Sequence, residues 1–174
     1  SLPFFGGVII SLKWAEMRGL DTLATDGETI FFDPIAVARF ASENALAGVI
    51  IHEVGHCVLG HCERIDLKTL DQDHKSIANQ AADYCTNWLI DQFAQEWRDS
   101  HGGKESPIFK LPSGALRSEE HGPRSFEEIY HLLLSKWKKA GKPKPQPSPS
   151  GQLMPSPEGK PQGSGKGEDS QETG

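Results

Sequence analysis

The chain is short of several things, and each shortage removes a class of function. It has three cysteines in 174 residues, Cys57, Cys62 and Cys85. That is an odd number with no Cys-x-x-Cys pair, so there is no disulfide framework and no paired thiolate zinc site. Such usage fits small buried core thiols in a reducing, cytoplasmic compartment. Its 18 lysines and arginines are outnumbered by 24 aspartates and glutamates. They are scattered, without a basic stripe or interleaved aromatics, so the chain lacks the footprint of a nucleic-acid binder. No apolar run approaches the roughly 18 residues needed to cross a bilayer. Ser1 to Ile10 is apolar but lacks a charged leader and a cleavage site, so it does not read as a signal peptide.

What is present centres on Ile50-Ile51-His52-Glu53-Val54-Gly55-His56-Cys57-Val58-Leu59-Gly60-His61. Two histidines four positions apart on a helix differ by roughly 40° in azimuth, so both imidazoles enter one space. That spacing suits two nitrogen ligands on one tetrahedral zinc ion. Glu53 lies beside the pair without a ligand's place, where a carboxylate serves as general base; His-Glu-x-x-His on a helix is the metallopeptidase signature. The plainer reading is a satisfied core pair of histidines. Apolar flanks from Leu46 to Ile51 and at Val58-Leu59 put the motif on a buried helix. Burying two imidazoles and a carboxylate without partners is costly, which favours Zn2+.

A third ligand is expected from a second long helix, over about residues 76–99. Its first half is apolar around most of its circumference, yet Asn79, Asp83 and Asn87 form a polar stripe at successive turns. A carboxylate on a buried stripe needs a partner, which makes Asp83 the third candidate ligand, with Asn79 and Asn87 orienting it or its neighbours. The alternative has Asp83 bonding a nearby loop while His61, Asp73 or His74 completes the site. His61 reads as a helix-end group that supports a ligand.

The rest of the chain frames these two helices. Asp26-Gly27, between Thr22–Thr25 and Glu28–Phe32, predicts a two-residue hairpin. Val8 to Trp14 is a strand or a helix end. Asp33-Pro34 opens a short helix to about Ala41, and Ser42 or Asn44 caps the motif helix, which Gly60 stops. Residues 100–124 form a long loop, suited to one wall of a cleft. Ser125-Phe126-Glu127-Glu128 is a capping box that opens a last helix. From Gly141 the chain holds seven prolines and seven glycines in 34 residues. The expected division is a domain over 1–139 and a disordered linker over 140–174.

Taken together, the Asp-Gly hairpin, Asp33-Pro34, His52-Glu53-x-x-His56 with Leu59-Gly60-His61, Asn79-x-x-Ala82-Asp83-Tyr84-x-x-Asn87, Leu111-Pro112-x-Gly114 and Ser125-x-Glu127-Glu128-Ile129-Tyr130 form a linked set. That set resembles the bacterial and phage metallopeptidase-type domain that often precedes a von Willebrand A-like domain. The resemblance spans roughly residues 4–135. It implies a small zincin-like α+β fold, a short hairpin or sheet packed on the motif helix and a second long helix. It also implies metal-dependent hydrolysis of a protein or peptide substrate, with His52, His56 and Asp83 as metal ligands and Glu53 catalytic. By analogy with zincins, the strand Thr29–Phe32 would be an edge that pairs with substrate. Tyr84, His121 and Tyr130 are the candidates for an oxyanion donor. The tail would lead to the von Willebrand A-like domain. The competing function is a binding or assembly module that zinc holds in shape without turnover.

Overall fold

The computed structural model describes residues 2–112, 114–146 and 152–155. An N-terminal helix α1 (Leu2–Ser11) leads into β1 (Lys13–Glu16), so the stretch around Val8 to Trp14 divides between helix end and strand. Then come β2 (Leu23–Thr25), β3 (Thr29–Phe32) and a single helical turn α2 (Pro34–Val37). The motif helix α3 (Glu43–Val58) is followed by the short α4 (His61–Arg64), the long α5 (Gln72–Ser100) and α6 (Phe126–Lys139). Last is β4 (Gln152–Leu153). This is an α+β arrangement with a small mixed sheet in the order β1-β3-β2-β4.

Local chemistry sets most of the boundaries. Asp33 caps α2 by accepting from the Ile35 amide, with Pro34 at the first helical position. Ser42, rather than Asn44, caps α3 by accepting from the Ala45 amide at 3.2 Å. The capping box is complete at α6, where Ser125 and Glu128 satisfy one another's amides. Two boundaries differ from expectation. Helix α2 ends at Val37 because Arg39 and Phe40 fold back in tighter bonds to Ala36 and Val37. Helix α5 begins at Gln72, earlier than Ser76, because the Asp71 carboxylate caps the His74 amide at 2.9 Å.

The hairpin forms, but one residue out of phase with the Asp-Gly expectation. Thr25 pairs with Ile30, and Asp26 bonds across to Thr29, so Gly27 and Glu28 make the turn. Asp26 stands at its foot because its carboxylate accepts from the amides of Glu28 and Thr29 at 2.9 and 2.7 Å. Gly27 takes the positive φ of +95° that the turn requires. A second correction concerns β3. It is an interior strand, because β1 runs parallel along its other side from Lys13↔Thr29 to Glu16↔Phe32. The edges of the sheet are β1 and β4, because β4 runs along the far side of β2.

Three apolar clusters hold the elements together. Leu23 and Ile30 from the sheet meet Val49 of α3. Phe5 of α1 joins Ile51 and Val54 of α3, Ile90 of α5 and Phe109 and Leu111 of the long loop. Ile77, Ala78, Ala81 and Ala82 of α5 pack on Phe126 and Ile129 of α6. Full burial of each large side chain contributes about 1.5–3 kcal/mol. The long loop is therefore a structural wall over α3 and α5, and a Cβ on Gly48 would run into the Lys110 carbonyl. Among the described residues no helix is long and apolar enough to cross a membrane. The linker expected over 140–174 lies mostly outside the described residues.

Candidate metal centre

Helices α3 and α5 face each other across a glycine. A Cβ on Gly55 would lie 2.6 Å from Thr86 Cγ2, so the bare backbone lets the two helices approach side chain to main chain. That approach brings His52 and His56 of α3 against Asp83 of α5. His52, Glu53, His56, His61 and Asp83 are all 0 % exposed.

The geometry is a tight triangle. His52 Nε2 and His56 Nε2 are 2.9 Å apart, and Asp83 Oδ1 lies 3.3 and 3.2 Å from them. Tetrahedral bonds of about 2.0–2.1 Å separate ligand atoms by roughly 3.3 Å, close to all three sides. Among the described residues, His52, His56 and Asp83 are the group of titratable side chains placed to hold a metal ion.

The surrounding hydrogen bonds turn lone pairs into that triangle. Asn87 donates through Nδ2 to the Leu116 carbonyl at 2.9 Å, which leaves its Oδ1 facing His52 Nδ1, also at 2.9 Å. His52 therefore carries its proton on Nδ1 and presents a lone pair at Nε2. His56 Nδ1 faces His61 Nδ1 at 2.9 Å and the Thr86 hydroxyl at 3.2 Å, both able to accept its proton. Two imidazole lone pairs and a carboxylate oxygen thus converge in a buried space. Such a donor set repels itself unless a proton or a cation lies at its centre. The donors fit a divalent metal such as zinc.

Charge states follow from the same crowding. Burial alone would raise the Asp83 carboxyl, but the imidazoles of His52 and His56 outweigh it and hold Asp83 well below the usual carboxylate range. Burial opposes protonation of His52, yet the Asp83 carboxylate, helped by Glu53 and Asn87, leaves it raised. His56 goes the other way, pushed down to about 4 by burial and by the charge on His52. Glu53 is distinct from the triangle. Neither of its carboxylate oxygens has a hydrogen-bond partner among the described residues, and burial pushes it up to about 8.

The other candidate ligands, His61, Asp73 and His74, lie outside the triangle. His74 turns its Nδ1 to Asp71 at 2.7 Å in the cap of α5, and Asp73 is in the same first turn, so neither enters the triangle. His61 enters the neighbourhood but not the triangle. Gly60 adopts a left-handed conformation at φ +64°, which reverses the chain and carries His61 back under His56. Burial holds His61 neutral, well below its ordinary value. Cys57 and Cys62 lie on Thr25, through its hydroxyl at 3.2 Å and its carbonyl at 3.4 Å, and burial raises both thiols. Tyr84 and His121 pack edge to face at 4.8 Å, and Tyr130 stacks on Phe126. The contributions of Gly55, Thr86 and Leu116 were not expected from the sequence. Of these only Gly55 leaves a trace there, as a glycine inside an otherwise helical motif.

The family described as "Putative metallopeptidase domain" matches residues 1–98. The chain belongs to that family. The matched stretch runs from α1 almost to the end of α5, so it includes His52, Glu53, His56 and Asp83. No curated protein and no solved structure matches the chain.

Proposed function

We propose that this member of the metallopeptidase family is a zincin-like, zinc-dependent peptidase that cleaves protein or peptide substrates, with Glu53 as general base. The observation that carries the reading is the convergence of three lone pairs, from His52 Nε2, His56 Nε2 and Asp83 Oδ1, beside a buried carboxylate with no hydrogen-bond partner among the described residues. With zinc bound, the site would have the Lewis acidity to polarise a scissile carbonyl and to make water a usable nucleophile near neutral pH.

The chain's own residues do the rest. His52 and His56 would hold the ion through Nε2, and Asp83 through Oδ1. Asn87 and the His61–Thr86 pair hold the two imidazoles in orientation, with their Nε2 atoms aimed at the triangle. Glu53 accepts a proton from the attacking water at its carboxylate and passes it to the leaving amine. A carboxyl with a raised pKa is suited to both halves of that transfer. The enclosed position of Glu53 strengthens each of these interactions by keeping bulk water out.

The competing reading is a zinc-stabilised assembly module acting with a downstream von Willebrand A-like domain. Glu53 argues against it, because a structural site has no use for a buried, unpartnered carboxylate that costs stability. We assign the peptidase to residues 1–139 and place the chain in the cytoplasm. Metal analysis of the purified chain, followed by a peptide-library digest with and without chelator, tests the reading. About one zinc per chain and chelator-sensitive cleavage are expected. Stoichiometric zinc with no cleavage of any peptide would leave the assembly module.

A further inference from the structure

The far edge of β2 is not open in the folded chain. Gln152–Leu153 lies along it in parallel, with Ala24 opposite Gln152 and Thr25 opposite Leu153. The Met154 amide donates to the Thr25 carbonyl at 2.7 Å, while the Leu153 amide, pointing the other way, donates to Asn79 Oδ1 at 2.8 Å. The Leu153 side chain packs against the cluster that includes Leu67 and Ile77. Pro155 follows, and with no amide hydrogen it cannot extend the pairing.

Both anchors of this segment adjoin the metal centre. Asn79 precedes Asp83 by one turn of α5, on the same face. Thr25 touches the Cys57 thiol at 3.2 Å, next in sequence to His56. The chain is guided to this place over its preceding residues. Trp137 donates from its indole to the Pro143 carbonyl at 2.7 Å, and Gln80 donates to the Gln146 carbonyl at 2.8 Å.

The chemistry of the contact is that of strand addition: main-chain bonds that any extended peptide can make, plus one apolar anchor. We propose that the β2 edge, between Thr25 and Asn79, is a strand-binding groove for extended peptides with an apolar side chain at the place of Leu153. The chain's own Gln152–Met154 fills that groove in cis and restrains access to the neighbouring centre. The groove stands on the contacts above; only the identification of the competing peptides as substrates rests on the peptidase reading. One main-chain bond to Thr25 and one bond to the Asn79 side chain hold the segment, few enough to be displaced. Covalent attachment nevertheless keeps its local concentration near the millimolar range. The arrangement is a strap that a better peptide displaces.

The test uses the full chain loaded with zinc and a fluorescent synthetic peptide with the sequence of residues 148–157. Met154→Pro removes the amide that reaches Thr25, and Leu153→Asp removes the apolar anchor; neither residue lies in the helical core. Fluorescence anisotropy should show both variants binding the peptide about tenfold or more tighter than the wild type does. The same peptide with aspartate at the leucine position should not bind. Hydrogen exchange should find the Leu153 and Met154 amides protected in the wild type. Equal affinity in wild type and variants, no binding in any of them, or unprotected amides would each overturn the proposal. Tight binding to the variants without hydrolysis of any peptide would uphold the groove and remove the peptidase reading instead.

Discussion

Asp83 Oδ1 stands 3.2 Å from His56 Nε2, across the meeting of two helices that share no segment of chain. The contact depends on a residue without a side chain, the Gly55 that precedes His56 in the motif helix. Gly55 allows Thr86 to close on the backbone of α3, and Asp83 lies about one turn before Thr86 on α5.

Gly55→Ala should therefore weaken both the fold and the site. Its Cβ would meet Thr86 Cγ2 at 2.6 Å, an overpacking that costs about 1–3 kcal/mol. Better helix propensity returns about 1 kcal/mol of that. Urea unfolding should show a net loss of up to about 2 kcal/mol, and zinc should bind more weakly. A variant as stable and as zinc-avid as the wild type would mean that the helices do not depend on this glycine.

Asp83→Ala and Glu53→Gln should separate holding the metal from using it. The first removes an oxygen from the triangle, and elemental analysis should find the purified variant largely without zinc. The second should retain near-stoichiometric zinc while hydrolysis falls about 10²–10⁴-fold, the range a general base contributes. Full zinc content in Asp83→Ala would return the search for a third ligand to His61. Undiminished cleavage by Glu53→Gln would reject that residue as the base.

Asn87→Ala should act on the metal without touching it. It leaves the Nδ1 proton of His52 without its acceptor and frees the imidazole to turn. Zinc affinity, measured by competition with a chromogenic chelator, should drop about 10–100-fold. His61→Ala should do the same to His56, less steeply, because the Thr86 hydroxyl remains at 3.2 Å. Unchanged affinity in both variants would show that the imidazoles are held by packing alone.

The metal-free protein should lose stability on the alkaline side. Burial lifts Glu53 from 4.5 to about 8, so between these values the folded chain keeps a proton that the unfolded chain has released. The stability carried by that proton is complete below 4.5 and is lost as pH rises through 8. His56 and His61 oppose this only below their ordinary value of 6.5, where lowered pKa values make the unfolded chain the better proton binder, while the raised His52 adds to the loss above 6.5. Melting temperatures in chelator should accordingly fall from about pH 6.5 to 8.5, and Glu53→Gln should flatten that slope. Parallel slopes for the two proteins would mean that the carboxyl is not protonated in the fold.

Several elements were legible in the sequence because their causes are local. Helical spacing of four puts His52 and His56 on one face whatever surrounds them. The caps at Asp33, Ser42 and Ser125 act within a single turn of chain. Asp83 was legible for a different reason: a carboxylate among Ala78, Ala81 and Ala82 is buried by the pattern itself, and burial demands a partner. The hairpin was readable as a hairpin but not to the residue, since its phase follows from which backbone amides the Asp26 carboxylate collects.

By itself, then, the sequence determined which side chains are buried and which face of each helix they occupy, because burial and helical phase follow from the order of apolar and polar residues. Only the tertiary structure decided what those faces meet. It set β1 against β3 and made that strand interior, and it brought His61 back under His56 through the left-handed turn at Gly60. It also closed α5 on Gly55 and laid the tail along β2. Each of these joins residues distant in the chain, and such pairings are selected by the packing of whole elements, which no local spacing encodes.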